Sequence, residues 1–214
     1  MQPQDRSLPI YEVADKVVAE LGNVGRLVLS APTGSGKTTL VRLITRLHNP
    51  PPGTVRVDGT DIRDIDLDEW RRTISVVPQR AFLFSESVKD NILLGAPDDG
   101  RLEDVLQSTT MDVDIASLPQ GVDTLVGESG VMLSGGQRQR TALARGLVRP
   151  HNLLVLDDVL SAVDHKTEHQ LIEAMGVRGP ATTIIVANRI SAVRRADQIV
   201  VLDDGRIVQK GRHD

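Results

Sequence analysis

Three features of the sequence predict an α/β fold with a mainly parallel sheet flanked by helices. Near-continuous apolar runs at 26–31, 153–157 and 181–187 read as strands covered on both faces. They alternate with helical patterns, as parallel crossover connections require. A glycine-rich loop, Ala31-Pro-Thr-Gly-Ser-Gly-Lys-Thr38, lies between the first run and the helix that follows it.

Taken in order, residues 1–9 carry no pattern and read as loosely attached. Ile10, Val13, Val17 and Leu21 repeat at helical spacing, and Gly22 stops the pattern. After the strand 26–31 and the loop, a helix is predicted from Lys37 to about Leu47, broken by Pro50, Pro51, Pro52 and Gly53. Residues 54–77 read as short strands and one turn of helix, ending in a strand over 73–77. Residues 87–117 alternate weak helical patterns with turns such as 95–100 and form a helical lobe. A basic amphipathic helix is predicted over 135–149. Residues 198–202 and 206–209 form a closing hairpin around Asp204-Gly205. No internal repeat or low-complexity tract appears.

Bulk composition narrows the function. The 214 residues are 40% hydrophobic and 25% charged, which suits a globular domain large enough to bury a core. Aromatics are only 2%, so Val, Leu, Ile and Ala must fill that core. Lys plus Arg number 25 against 29 Asp plus Glu, a net charge of −4 without the basic excess of a nucleic-acid binder. With no cysteine, disulfides, thiolate metal sites and cysteine nucleophiles are excluded. The five histidines show no metal-ligand spacing. No apolar run is long enough to span a bilayer, and the polar N-terminus does not resemble a signal peptide. A cytoplasmic location is expected, or the cytoplasmic face of a membrane when the chain is joined to a transmembrane partner.

The loop carries the most specific chemistry. Gly34 and Gly36 let the backbone curl so that successive N–H groups aim at phosphate oxygens. Thr33, Ser35 and Thr39 flank them, and the helix start adds its dipole. Lys37 reaches the β- and γ-phosphates, and the Thr38 hydroxyl can take Mg²⁺. A Gly/Ser surface turn is the alternative; the strand before, the helix after and the Gly-Lys-Thr run favour a P-loop NTPase that binds ATP. Leu153-Leu-Val-Leu-Asp-Asp158 is a buried strand ending in carboxylates, the usual magnesium partner, with Asp157 holding the metal largely through water. Ser134, Gly135, Gly136 and Gln137 open the helix at 135 and make a second anion-binding helix start. One nucleotide needs only one such loop from its own chain. The second loop therefore suggests a site shared between two subunits, although a turn that merely caps a helix is also compatible with it.

The phosphate loop, Gln79, Leu133-Ser-Gly-Gly-Gln137, Asp157 and Ser161-Ala-Val-Asp164 together resemble the nucleotide-binding domain of an ABC transporter, over about residues 31–213. Gly59-Thr-Asp-Ile-Arg63, Val77-Pro-Gln-Arg-Ala-Phe-Leu-Phe84, Ser87-Val-Lys-Asp-Asn-Ile92 and Gly127-Glu-Ser-Gly130 are similar to the exporter subgroup. The resemblance implies a helical ABC-type subdomain at 86–149, within an ATP-binding core of 31–85 and 150–214. It implies that Gln79 senses the γ-phosphate and Mg²⁺, and that the Gln79–Phe84 region meets a transmembrane domain. Phe82 and Phe84 are read either as contacts there or as core residues. Asp164 would sit at the seam with a second nucleotide-binding domain, identical or different.

Three departures qualify this. Asp158 stands where the family has the glutamate that polarises the attacking water, one methylene longer. Asn188 stands where it has a histidine; asparagine can donate a hydrogen bond but carries no proton charge. Together they resemble the degenerate half of a heterodimeric exporter, which binds ATP and hydrolyses it weakly. Residues 1–30 resemble instead the opening of a DEAH-box helicase, as in a chimera joined near the loop. Tyr11 there reads as a packing residue rather than an adenine stacker. The end at His213-Asp214 reads as truncated. The competing functions are a helicase-like motor, an ABC protein of DNA repair or translation, and a dimerisation module that uses ATP without turnover.

Overall fold

The computed structural model describes residues 25–30, 32, 34–128, 130–159, 182–187, 194 and 196–213. The expected N-terminal helix, Tyr11, Ala31, Thr33, Ser161-Ala-Val-Asp164 and Asn188 lie outside the described residues. Among the described residues the chain divides into two compact units. One comprises 25–76, 151–158 and 182–213; the other comprises 77–150 and Val159.

The first unit holds a six-stranded sheet in the order β4-β5-β6-β1-β7-β8. The strands are β1 (Arg26–Ser30), β4 (Ile74–Val77), β5 (Leu153–Asp157), β6 (Thr182–Val186), β7 (Gln198–Asp203) and β8 (Arg206–Gly211). Strands β5, β6, β1 and β7 run parallel, and β8 pairs antiparallel with β7. The sheet is thus mainly parallel, as its apolar runs predict. Leu27, Leu29, Leu153, Val155, Ile184, Val186, Val200 and Leu202 recur at period two and point to one face. There they meet Leu40, Val41, Leu43 and Ile44 of α1 (Lys37–Ile44). Val28, Leu154, Leu156 and Ile185, on the other face, are buried as well. Each fully buried leucine contributes about 1.5–3 kcal/mol.

The predicted helix over 37–47 ends early, at Ile44. Arg46 turns left-handed at φ 51°, and the Thr45 hydroxyl donates back to the Val41 carbonyl. The single predicted turn within 54–77 is a seven-residue helix, α2 (Leu67–Thr73), because Asp66 caps it by accepting from the N–H groups of Asp68 and Glu69. Its Trp70 indole donates to the Ile44 carbonyl at 3.2 Å, so the one tryptophan ties α2 to α1. A two-stranded ribbon, β2 (Arg56–Val57) and β3 (Thr60–Asp61), precedes it. The predicted closing hairpin is present. Asp204 and Gly205 both take positive φ, 45° and 68°, which a two-residue turn matching strand twist requires.

The second unit is helical, with α3 (Val88–Leu93), α4 (Arg101–Ser108), α5 (Met111–Ala116), a 3₁₀ turn at Gly121–Asp123 and α6 (Gly135–Val148). The first three helices pack on α6 around Val88, Ile92, Val105, Met111 and Leu143. Ser87 caps α3, and its hydroxyl accepts from the Asp90 N–H. The path turns out of α6 at Arg149, since the residue before Pro150 is biased away from helix.

Candidate functional site

Parallel order fixes where the first unit can hold a ligand. Leu29 on β1, Val186 on β6 and Asp157 on β5 form one row across three strands. The glycine-rich loop leaves the end of β1, and Asp157 ends β5 two strand spacings away, about 10 Å. Both therefore lie at the carboxyl edge of the sheet, where open α/β folds bind ligands.

Within the loop, Gly34 and Gly36 take φ 87° and 99°, values a side chain would strain. Gly36 is the N-cap of α1, and no side chain caps that helix. The first-turn amides of a helix have no partner inside it, so the start of α1 remains available to an anion. The Pro32 carbonyl accepts from the Ser35 hydroxyl at 2.8 Å and from Lys37 Nζ at 2.6 Å. The Gly205 N–H of the hairpin turn donates to the Ser35 carbonyl at 3.2 Å and braces the loop from β7–β8.

The charges of Lys37, Asp157 and Asp158 act on one another. Burial lowers the Lys37 ammonium pKa, against the pull of Asp158 and Asp157. Burial raises the Asp157 carboxyl, Asp158 adds to the rise, and Lys37 and Arg42 oppose it. Both shifts point the same way: the site holds charges that the fold compensates incompletely. Asp158 sits at φ 51°, and its N–H donates to the Val186 carbonyl at 2.9 Å, which anchors its backbone at the end of β5.

Among the described residues no cluster of three His, Asp or Glu side chains could hold a metal by itself. Magnesium does not need one. It is commonly held by one or two carboxylates, waters and substrate phosphates. A half-buried carboxyl pushed up by burial, beside a second carboxylate, with Thr38 exposed in the first turn of α1, fits that demand.

The sign of the Asp157 shift gives a stability prediction. A carboxyl whose folded-state pKa is raised destabilises the fold above that pKa, and the penalty disappears as pH falls through it. Asp157→Asn should therefore raise the Tm of the nucleotide-free, magnesium-free protein by about 2 °C at neutral pH, a figure discounted for partial exposure. The gain should vanish in acid. Thermal melts across pH check this; a lower Tm at neutral pH would contradict it.

The second unit holds Ser134-Gly-Gly-Gln137 at the start of α6. The Ser134 hydroxyl accepts from the Gln137 N–H at 3.2 Å, and Gln137 Oε1 accepts from the Ser134 N–H at 2.9 Å, a closed capping box. Ser134 and Gly135 remain exposed, and nothing lies within 4 Å of a Cβ built at Gly135.

Gln79 is exposed and belongs to this unit. Downstream, Phe82 and Phe84 stand edge to face with ring centroids 5.0 Å apart, 63% and 48% exposed. Core packing is thereby excluded for both. Sequence reasoning missed what holds them. Asn91, fully buried in α3, accepts from the Phe84 N–H at 2.8 Å and donates to the carbonyls of Phe84 and Ser87, both at 3.0 Å. Arg145 of α6 donates to the Phe82 carbonyl at 2.8 Å and to the Asn91 carbonyl at 2.7 Å. Its guanidinium lies 6.0 Å from the Phe84 ring. Replacing Asn91 by Ala strands these groups and should cost about 2 kcal/mol. Urea denaturation should show a lower midpoint at unchanged slope; no loss would mean that water replaces the amide.

Residues 15–161 match the family model described as ABC transporter. The chain belongs to the ABC transporter family. It is 45% identical over 191 residues to the multidrug resistance-like ATP-binding protein MdlA of Escherichia coli, across 88% of this chain and 32% of that protein. It is 39% identical over 202 residues to the ATP-dependent lipid A-core flippase of Burkholderia orbicola, across 94% of this chain and 34% of that protein. In structure it is similar to a bacterial Atm1-family ABC exporter with ATP bound, at a TM-score of 0.82 and 37% identity, covering 88% of this chain and 34% of the other. The chain thus spans a minor part of these ABC relatives and corresponds to an ATP-binding domain of the exporter type. The family match takes in residues 15–30, part of the stretch read from sequence as helicase-like, so the family extends upstream of the loop. No helix among the described residues is long and apolar enough to cross a membrane.

Proposed function

We propose that the domain binds Mg-ATP at the β1–α1 loop, pairs with a second nucleotide-binding domain around the nucleotide, and passes that closure to a transmembrane exporter partner. The observation that carries the reading is the left-handed glycine loop leading into an uncapped α1, with Lys37 coupled to Asp157 and Asp158 at the same sheet edge. Thr33 to Thr39 would wrap the phosphates, with Lys37 on the β- and γ-phosphates. Thr38 and Asp157 would hold Mg²⁺, which neutralises charge on the phosphate oxygens when bound. Ser134, Gly135 and Gly136 would close over the partner's nucleotide from the start of α6. Phe82 and Phe84, exposed and pinned by Asn91 and Arg145, suit an apolar contact with the transmembrane partner. In this reading the domain would lie at the cytoplasmic face of a membrane.

Hydrolysis would be slow. Asp158 would orient the attacking water for in-line displacement at the γ-phosphate, and Asn188 would donate a hydrogen bond towards that phosphate without supplying charge. The pinned backbone of Asp158 supports a second reading, an ATP-dependent dimerisation module with little turnover. Sedimentation velocity with and without Mg-ATP, beside turnover, separates the two. Dimerisation with turnover supports the first, dimerisation without turnover the second, and a monomer that binds no ATP rejects both.

A further inference from the structure

Asp114, on α5, lies outside every motif of the family resemblance, yet it holds both Gln137 of the Ser134–Gln137 loop and Arg140, one turn further along α6. Its Oδ1 accepts from Gln137 Nε2 at 3.3 Å, and its Oδ2 accepts from Arg140 Nε at 2.7 Å. The Asp114–Arg140 side chains are only 15% and 17% exposed, unlike the fully exposed pairs that contribute little. Arg140 in turn packs beside Gly136, where a Cβ would lie 3.2 Å from Nη1.

We propose that Asp114 is a positioning residue that sets the phosphate-facing geometry of the Ser134–Gln137 loop. A carboxylate only accepts, so it turns the Gln137 amide with Nε2 towards itself and Oε1 towards the Ser134 N–H. Both ends of that amide are then engaged within the chain. Gln137 thus braces the loop instead of reaching a nucleotide, and Ser134 with the two glycines is left to meet one. Because the Ser134 hydroxyl already accepts from the Gln137 N–H, its own hydrogen is free to be donated outwards to a phosphate oxygen. With Asp114 lost, the amide is free to flip, Arg140 is free to swing across Gly136, and the loop loses its preorganised form.

The inference rests on the shared-site reading, in which this loop completes the partner's nucleotide site. The experiment compares the parent chain with Asp114→Ala and Asp114→Asn. It measures fluorescent-ATP affinity of the monomer at low protein concentration, and Mg-ATP-driven dimerisation by sedimentation velocity. Asp114→Ala should weaken the dimer about tenfold or more while nucleotide affinity of the monomer stays within twofold. Asp114→Asn keeps an acceptor for Gln137 but loses the charge facing Arg140, and should fall between. If Asp114→Ala fails to fold, Asp114→Asn carries the comparison. Mixing Asp114→Ala with Lys37→Ala should restore dimerisation through one intact composite site, which a general folding defect would not permit. Parent-like dimerisation of both variants, equal loss of monomer affinity, or no rescue on mixing would overturn the inference. A parent that stays monomeric with Mg-ATP would instead remove the shared-site reading, and this inference with it.

Discussion

Asp158→Glu combined with Asn188→His should raise Mg-ATP turnover by on the order of 10²-fold, the lower end of what a well-placed general base supplies. Reach sets the difference. The Asp158 backbone is pinned by its hydrogen bond to Val186 at the end of β5, so side-chain length alone decides how far the carboxylate extends. Glutamate adds the missing methylene at the same charge, and histidine at 188 restores a group that can bear a proton. The same substitution carries a structural cost. Asp158 occupies φ 51°, a left-handed conformation that Asp tolerates better than Glu. The revertant should therefore melt about 2 °C lower while turning over faster. Steady-state hydrolysis and thermal melts on the same samples check both halves. Parent turnover equal to the revertant's would show that Asp158 and Asn188 already suffice, and the degenerate-site reading would fall.

That opposition between reach and backbone conformation was not visible in the sequence. Asp158 reads there only as a shortened glutamate; its positive φ depends on how β5 leaves the sheet beside β6. The strands themselves were legible, because β1, β5 and β6 are apolar on both faces and no other element suits such runs. The β7–β8 turn was legible too, since Asp-Gly between alternating apolar residues has few other uses. Helix ends were less so: nothing around Leu47 announces that Arg46 turns left-handed. Asp114 and Asn91 escaped for a different reason. Their partners on α6, Gln137 and Arg145, lie 23 and 54 residues away in sequence, so each reads as an ordinary polar residue on a short helix until α6 is packed against it. Exposure at Phe82 and Phe84 likewise needed the structure, because an aromatic in a loop is as compatible with a core as with a surface.

The two glycine-bearing helix starts are built on opposite principles, and this bears on their proposed roles. α1 starts on a left-handed glycine with no side-chain cap, the form of helix start that takes up an external anion. α6 starts on a serine closed into a capping box, so its loop keeps its shape without a ligand. The first arrangement suits a site that grips its own nucleotide and gains order by doing so. The second suits a preformed surface offered to another subunit's nucleotide, which loses less entropy on association.

Lys37→Ala should weaken ATP binding by about 10²-fold or more. Hydrogen bonds from an ammonium to phosphate contribute about 1.5–3 kcal/mol each, and contacts to two phosphates exceed the 1.4 kcal/mol that corresponds to tenfold. The empty protein should not suffer equally. Burial already penalises the Lys37 charge in the absence of ligand, and Asp158 and Asp157 only partly offset it. Removing the ammonium removes that penalty together with the offset, so the Tm of the nucleotide-free protein should move little. Without Lys37, one of the two cations that hold the Asp157 carboxyl down is gone, which raises that carboxyl further and makes magnesium more important to whatever binding remains. Titration with fluorescent ATP, ADP and AMP analogues separates a lost phosphate contact from a collapsed site. A lost contact should cost ATP and ADP far more than AMP, because the ammonium reaches the β- and γ-phosphates and not the α-phosphate. Equal losses for all three, with a lower Tm, would mean that Lys37 holds the loop together through its bond to Pro32 instead of holding the nucleotide.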